Sequence, residues 1–305
     1  MRSYITDPDA PRGLRLDDSA PDPDPAPGEA VIAVEAFGIN RGELALLTVR
    51  DRDWRPGQDV AGTVVTPAAD GTGPGAGTRV VAIVDGGGWS ERVACPTNRL
   101  APIDDAVAAV DAAALPIAGL TALRALREGG SLLGERVLVT AATGAVGQFA
   151  IQLARAAGAR VTALVSRPES ADEARAAGAH VVVTDLGDGP GGYRLVCDGA
   201  GGDVLREALH HLAPHGVIAT YGAMAGRTEL GLADLLSVAN PRIVGLVHSE
   251  PPELRGADLG VLADLVASGA LRPRIGRDGD WSEVREVLDA MAGQQVRGKV
   301  VLRVS

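Results

Sequence analysis

Cysteine is scarce in this chain, with only Cys95 and Cys197 among 305 residues. Two thiols so far apart cannot build a disulfide framework and lack the paired spacing of a zinc site, so both are expected to be packed thiols. Lysine is scarcer still, with Lys299 alone. The opening MRSYITDPDA turns acidic and Pro-rich at once, so no export signal is expected and the cytoplasm is the default. The longest uncharged run, residues 137–154, is broken by Gly144, Gly147 and two glutamines, which makes it strand, turn and helix rather than a membrane span. A basic excess is missing as well. The formal net charge is −10 and is spread along the chain, which argues against a partner held through nucleic-acid phosphates.

What is present has ordinary globular proportions, 46% apolar and 22% charged residues, in a chain longer than one hydrophobic core usually supports. Two compact units are therefore expected. Between residues 117 and 249, short apolar runs alternate with helical stretches: RVLVTA, RVTALV, HVVVT, RLVCD, GVIATY and RIVGLV. This pattern predicts a parallel sheet of six strands covered by helices. Before it, AVIAVEA, VAGTVV, RVVAIV and WSERVAC are β-rich runs separated by Gly, Pro and Asp turns, as in an antiparallel barrel. After it come a helix near residues 257–267, a Pro-interrupted strand LRPRI, a helix opened by the capping pair Asp280 and Glu283, and a last strand KVVLRV. That last strand has too few neighbours of its own and is expected to join the first barrel. The barrel domain, residues 1–116 plus 250–305, would then be split around a domain of residues 117–249. The Asp/Pro run DDSAPDPDPAPG reads as a solvated loop.

A dinucleotide needs a turn where backbone N–H groups reach the pyrophosphate, which excludes bulky side chains and favours a helix N-terminus aimed at the charge. TAATGAVG supplies it, with Ala142, Gly144 and Gly147 at the three small-residue positions. The triplet alone is weak, but a β-rich run precedes it, and Val146, Phe149, Ala150, Leu153, Ala154 and Ala157 follow as a helical stripe ending at Gly158. The second strand ends in Ser166 and Arg167, where an NAD-binding protein would place a carboxylate for the ribose 2′-hydroxyl. A hydroxyl and a guanidinium can donate to a 2′-phosphate, which favours NADPH. The bland alternative is that Ser166 caps a helix beginning at Pro168 while Arg167 is solvated.

With strand, turn and domain order established, the chain resembles the medium-chain dehydrogenase/reductase superfamily, and within it the zinc-independent quinone oxidoreductase-like group. The segments that carry the resemblance are GINRGELALL, PGQDVAGTVV, GTRVVAIV, GGWSERVACP, AALPIAGLTALRAL, VLVTAATGAVGQFAIQLARAAGARV, GVIATYG and RGKVVL, in that order over nearly the whole chain. The resemblance implies an α/β fold in which a GroES-like β-barrel domain is split around a Rossmann doubly wound parallel sheet, and it implies a homodimer. It further implies that Asn40, with Arg41, lines the substrate cleft beside the nicotinamide, and that Thr121 lies near the cofactor. Gly144, Ala145 and Val146 would meet the pyrophosphate, and Ser166 and Arg167 the 2′-phosphate. Tyr221 and Gly222 would lie on the adenosine and ribose side, Val247 and His248 near the carboxamide, and Arg297 to Lys299 over the nicotinamide. Bland alternatives stay open: Asn40 in a turn, Tyr221 as a core aromatic, His248 as a structural histidine, Lys299 as a surface charge.

Zinc catalysis in this superfamily would need a cysteine within the GINRGEL segment and a His-Glu pair where Gln58 and Asp59 stand; neither is there, so no metal is expected. With Lys299 as the only lysine and no tyrosine near it in sequence, a Tyr-Lys pair of the short-chain type is excluded too. What remains is direct hydride delivery to a small electrophile such as a quinone or an α,β-unsaturated carbonyl. An enoyl reductase acting on a polyketide or fatty acyl thioester is the alternative, weakened because the linker TVRDRDWR carries Trp54 where some such enzymes place a tyrosine. A redox-sensing or structural NADPH-binding protein is the alternative of another class.

Overall fold

The computed structural model describes residues 1–246 and 255–305. They divide into two compact units, Met1–Leu120 with Pro251–Ser305, and Thr121–Glu250.

In the first unit β1 (Ser3–Thr6) and β2 (Leu14–Asp17) form an antiparallel pair. After the Asp/Pro loop comes the long β3 (Glu29–Ile39), and then helix α1 (Arg41–Val49). β3 pairs antiparallel with β4 (Asp59–Thr66) and β6 (Arg92–Pro96), while β4 pairs with β5 (Arg79–Ile83) and β5 with β7 (Leu100–Pro102). Their alternating apolar residues face one core, built around Ile32, Phe37, Val60, Val80 and Trp89. Two helices, α2 (Ala109–Ala113) and α3 (Pro116–Arg127), carry the chain onward.

The second unit alternates strand and helix: β8 (Arg136–Val139), α4 (Ala145–Ala156), β9 (Arg160–Leu164), α5 (Ala171–Ala176), β10 (Val181–Val183), β11 (Tyr193–Asp198), α6 (Gly202–His210), β12 (Leu212–Thr220), α7 (Leu232–Leu236) and β13 (Arg242–Gly245). All six strands are parallel, in the order β10-β9-β8-β11-β12-β13. This is the doubly wound 3-2-1-4-5-6 arrangement, and each of its strands falls on one of the six apolar runs. The order reverses between β8 and β11, which makes their carboxyl ends the natural ligand crevice.

The chain then returns to the first unit. Helix α8 (Arg255–Ala267), β14 (Ile275–Asp280), α9 (Val284–Ala292) and β15 (Lys299–Arg303) complete it. β15 pairs antiparallel with β3 and parallel with β14, and Val300 and Leu302 join the barrel core. The final strand thus completes a sheet begun some 260 residues earlier, as its lack of local partners predicts. The expected strand LRPRI is displaced: pairing begins at Ile275, after Pro273, which has no N–H to give a ladder. The pair Asp280 and Glu283 does form a capping box, ahead of α9. Helix α1 has no counterpart among the expected elements. Among the described residues no helix is long and apolar enough to cross a membrane.

Candidate functional site

In the second unit the turn after β8 is sharp. Ala141 adopts a left-handed backbone, φ 47°, and its carbonyl accepts from Gly144 N at 2.9 Å. Gly144 then caps α4 with no side-chain oxygen, which leaves the N–H groups of Ala145, Val146 and Gly147 without helical acceptors at the positive end of a 12-residue helix. Gly147 is buried, and a Cβ there would stand 2.6 Å from the Ala141 oxygen and 2.9 Å from the Ala142 backbone. Ala142 is itself buried, and its carbonyl accepts from the buried Gln148 Nε2 at 3.2 Å. The small residues therefore let helix and strand approach closely and keep the helix end open, the geometry a pyrophosphate requires.

A buried carboxylate holds the strand ends together. Asp198, closing β11, accepts from Thr140 Oγ1 at 2.7 Å, Thr220 Oγ1 at 3.0 Å, Ala200 N at 3.1 Å and Gly201 N at 3.2 Å. Thr140 Oγ1 in turn accepts from Gly199 N at 3.0 Å. The ends of β8, β11 and β12 are thereby tied into one polar junction under the turn. Tyr221 follows β12, half-buried, its hydroxyl on the Cys197 carbonyl at 3.4 Å, and burial pushes its phenol well up. Gly222 packs on Gly199, whose oxygen a Cβ would meet at 2.4 Å. Sequence reasoning names Tyr221 and Gly222 as site candidates and does not name Asp198 or Thr140. An Asp before Gly-Ala-Gly-Gly at a strand end was the available signal.

Ser166 and Arg167 are exposed just past β9, and neither side chain bonds to a described residue. The cap at Pro168 is Arg167 and uses no side chain, so Ser166 is not the helix cap that the bland alternative supposed. Thr121 lies half-buried on α3. Val247 and His248 lie outside the described residues.

The first unit brings together residues from three distant segments. Asn40 precedes α1 and Glu43 reaches back to cap it, its Oε2 accepting from Asn40 N at 2.7 Å and its Oε1 from Gln58 N at 3.1 Å. The Asn40 side chain turns away, Nδ2 donating to Asp59 Oδ2 at 2.8 Å. Lys299 Nζ donates to Asn40 Oδ1 and to Asp59 Oδ2, 2.5 Å each. Asp59 Oδ1 accepts from Ile117 N at 2.9 Å. Lys299 is thus not a surface charge: it is 1% exposed, opposite a fully buried carboxylate. Gly38 leaves room for it, since a Cβ there would meet Lys299 Cε and Asp59 Oδ2 at 2.8 Å. Burial, with the Asp59 charge adding to it, pushes the Glu43 carboxyl up to about 8. Arg41 is exposed, and Arg297 half-buried ahead of β15. Trp54 is half-buried, with the Arg50 guanidinium over its ring at 5.3 Å. The capping spacing of Asn40 and Glu43 is readable in sequence; the meeting of Asn40 with Lys299, 259 residues on, is not.

These residues do not fit a zinc ion. Asn40 and Asp59 already share an ammonium, and among the described residues no group of three or more His, Cys, Asp or Glu side chains could hold a metal. Cys95 and Cys197 are both buried, their thiols pushed up to about 12 by burial.

Two family models match the chain: an alcohol dehydrogenase GroES-like domain over residues 26–105 and a zinc-binding dehydrogenase over residues 145–260. The second covers mainly the Rossmann sheet, not the segments around Asn40 and Asp59. Among curated relatives, a quinone oxidoreductase-like protein 2 homolog of Nematostella vectensis is 29% identical over 89% of this chain and 80% of its own length. The spectinabilin polyketide synthase system protein NorB of Streptomyces orinoci is 32% identical over 91% of this chain, yet the chain spans only 13% of that protein. A mycobacterial protein solved in complex with NADPH superposes with a TM-score of 0.88 at 27% identity, covering 99% of this chain and 100% of its own. Barrel, doubly wound sheet and relatives agree that the chain belongs to the medium-chain dehydrogenase/reductase superfamily, in its quinone oxidoreductase-like group, and is an oxidoreductase.

Proposed function

We propose that this protein is an NADPH-dependent, metal-free reductase of quinones or α,β-unsaturated carbonyls. The observation that carries the cofactor choice is the exposed, unengaged Ser166 and Arg167 pair past β9, with no carboxylate in the place where one would repel a 2′-phosphate. The mycobacterial structural relative solved with NADPH supports the same choice. When bound, NADPH would supply the hydride that the substrate's electrophilic carbon accepts, the displaced π pair going to the carbonyl oxygen and a solvent proton completing the reduction. The residues of the chain bind, orient and stabilise. Ala145, Val146 and Gly147 offer N–H groups to the pyrophosphate, Gly144 gives it room, and Thr121, Tyr221 and Gly222 of the same unit contribute further cofactor contacts. Asn40 faces the substrate oxygen.

Arg167→Ala is expected to weaken NADPH binding about tenfold, the loss of one charge-assisted contact at an exposed site, and to leave NADH unchanged. Fluorescence titration with both nucleotides reads this; equal losses for both would contradict the 2′-phosphate role. Oxidation of NADPH with naphthoquinones, enals and enoyl thioesters then separates the reactions. Preference for the thioesters would favour the acyl-chain enoyl reductase, the reading supported by the likeness to NorB. Silence despite tight cofactor binding would favour a sensor, and stoichiometric zinc on metal analysis would overturn the metal-free reading.

A homodimer belongs to the same reading. Among the described residues β13 pairs only with β12 and leaves an open sheet edge, and Leu232 and Leu236 on α7, the element before it in the chain, are 71% and 74% exposed. Sedimentation at micromolar concentration is expected to give twice the 31.1 kDa chain mass, and a monomer would refute it.

A further inference from the structure

Of the four polar side chains gathered at the start of α1, only one reaches solvent. Lys299, Asp59 and Glu43 are buried, whereas Asn40 is partly exposed. An ammonium can only donate and an ionised carboxylate only accept, so the Asn40 carboxamide has one orientation here, Oδ1 on Lys299 and Nδ2 on Asp59. Capping α1 makes no demand on that side chain, because Glu43 and the Asn40 backbone perform it. The second Nδ2–H meets no acceptor among the described residues.

We propose that the buried Lys299 ammonium, seated between Asn40 and Asp59, orients and polarises the Asn40 carboxamide so that its remaining N–H donates to the substrate oxygen on which negative charge develops. A hydrogen bond from an ammonium draws electron density through the amide and strengthens its other N–H as a donor. Asp59 fixes the ammonium and is anchored by Ile117 N, so the donor needs no reorganisation when the charge appears. The cation acts on the substrate without touching it. Lys299 is a positioning residue, and Asn40 is the catalytic one. This rests on the reading above that Asn40 faces the substrate oxygen.

The test uses the full-length protein saturated with NADP+ and 4-nitrophenol, whose phenolate mimics an enolate oxygen and carries a visible band. In the wild-type protein the bound phenol is expected to ionise at least about one pH unit below the free phenol, a roughly tenfold preference for the phenolate. D59N/K299M removes both buried charges together, because removing lysine alone would strand Asp59 unpaired. It is expected to abolish the shift, as is Asn40→Ala, and combining all three changes is expected to cost nothing further, because Lys299 acts only through Asn40. No shift in the wild type, or a shift that survives either D59N/K299M or Asn40→Ala, would overturn the proposal. The wild type and Asn40→Ala, a change at a partly exposed position, can still overturn the proposal even if the double variant does not fold. In turnover, D59N/K299M is expected to lower kcat for an enone roughly 10- to 100-fold with NADPH Kd within about threefold. A protein that shifts the phenol yet oxidises NADPH with no quinone or enone fails as the proposed reductase and not on this point.

Discussion

Gly147→Ala is expected to lower both thermal stability and nicotinamide-cofactor affinity, whereas Gly144→Ala lowers affinity alone. The two glycines stand three residues apart in one turn but do different things. At Gly147 an added Cβ would press on the Ala141 carbonyl and the Ala142 backbone, at 2.6 and 2.9 Å, and neither is a flexible side chain that can swing aside. Helix α4 must move off β8, and small-to-large changes of that kind cost about 1–3 kcal/mol. The N–H groups at the head of the helix move with it, so cofactor binding is expected to fall at least tenfold. Gly144 is exposed, with an ordinary φ of −74°, and its Cβ would meet one atom, the Ala141 oxygen, at 3.2 Å. Alanine there leaves the fold nearly unchanged but stands where a phosphate would approach. Melting curves with nucleotide titrations of the two variants read the contrast. If Gly144→Ala bound cofactor as the wild type does, the turn would not be the phosphate site.

Asp198→Ala is expected to destabilise the protein by about 3 kcal/mol or more, since a buried carboxylate with four donors has no substitute acceptor nearby. For a unit of this size that corresponds to a melting temperature roughly 10 °C lower. Asp198→Asn keeps the volume and one acceptor oxygen but turns an NH2 group toward donors, so an intermediate loss is expected. Because Thr140 leads into the turn before α4 and Thr220 into Tyr221, the proposed nucleotide site should loosen as well. A melting temperature within about 2 °C of wild type for Asp198→Ala would show that the junction is not what ties the strand ends together.

Much of this protein is determined locally and can be read from its sequence. The six apolar runs of the parallel sheet, the small residues at Ala142, Gly144 and Gly147, and the capping pair of Asp280 and Glu283 are matters of period, side-chain size and short-range hydrogen bonding, which act over a few residues. Where the reading failed locally, as with β14, the displacement followed from Pro273, whose missing N–H moves the start of pairing to Ile275. Helix α1 was overlooked although Asn40 and Glu43 carry its capping spacing, because its buried face is set by α9 and the barrel core rather than by its own apolar pattern. The tertiary structure decided the rest. Nothing in RGKVVL says that its lysine is buried, and a lone lysine at a strand start is most simply a solvated charge. Its place is set by β15 pairing with β3, which lays Val300 against Ile39 and so brings Lys299 to Asn40 and Asp59. An ammonium in a dry barrel is tolerable only with a carboxylate already there, and that carboxylate arrives on a different strand. Sequence by itself determined that a sharp turn of small residues leads from strand to helix and what kind of fold holds it. Only long-range pairing decided which charge stands behind Asn40, because burial and ion pairing are properties of neighbours in space.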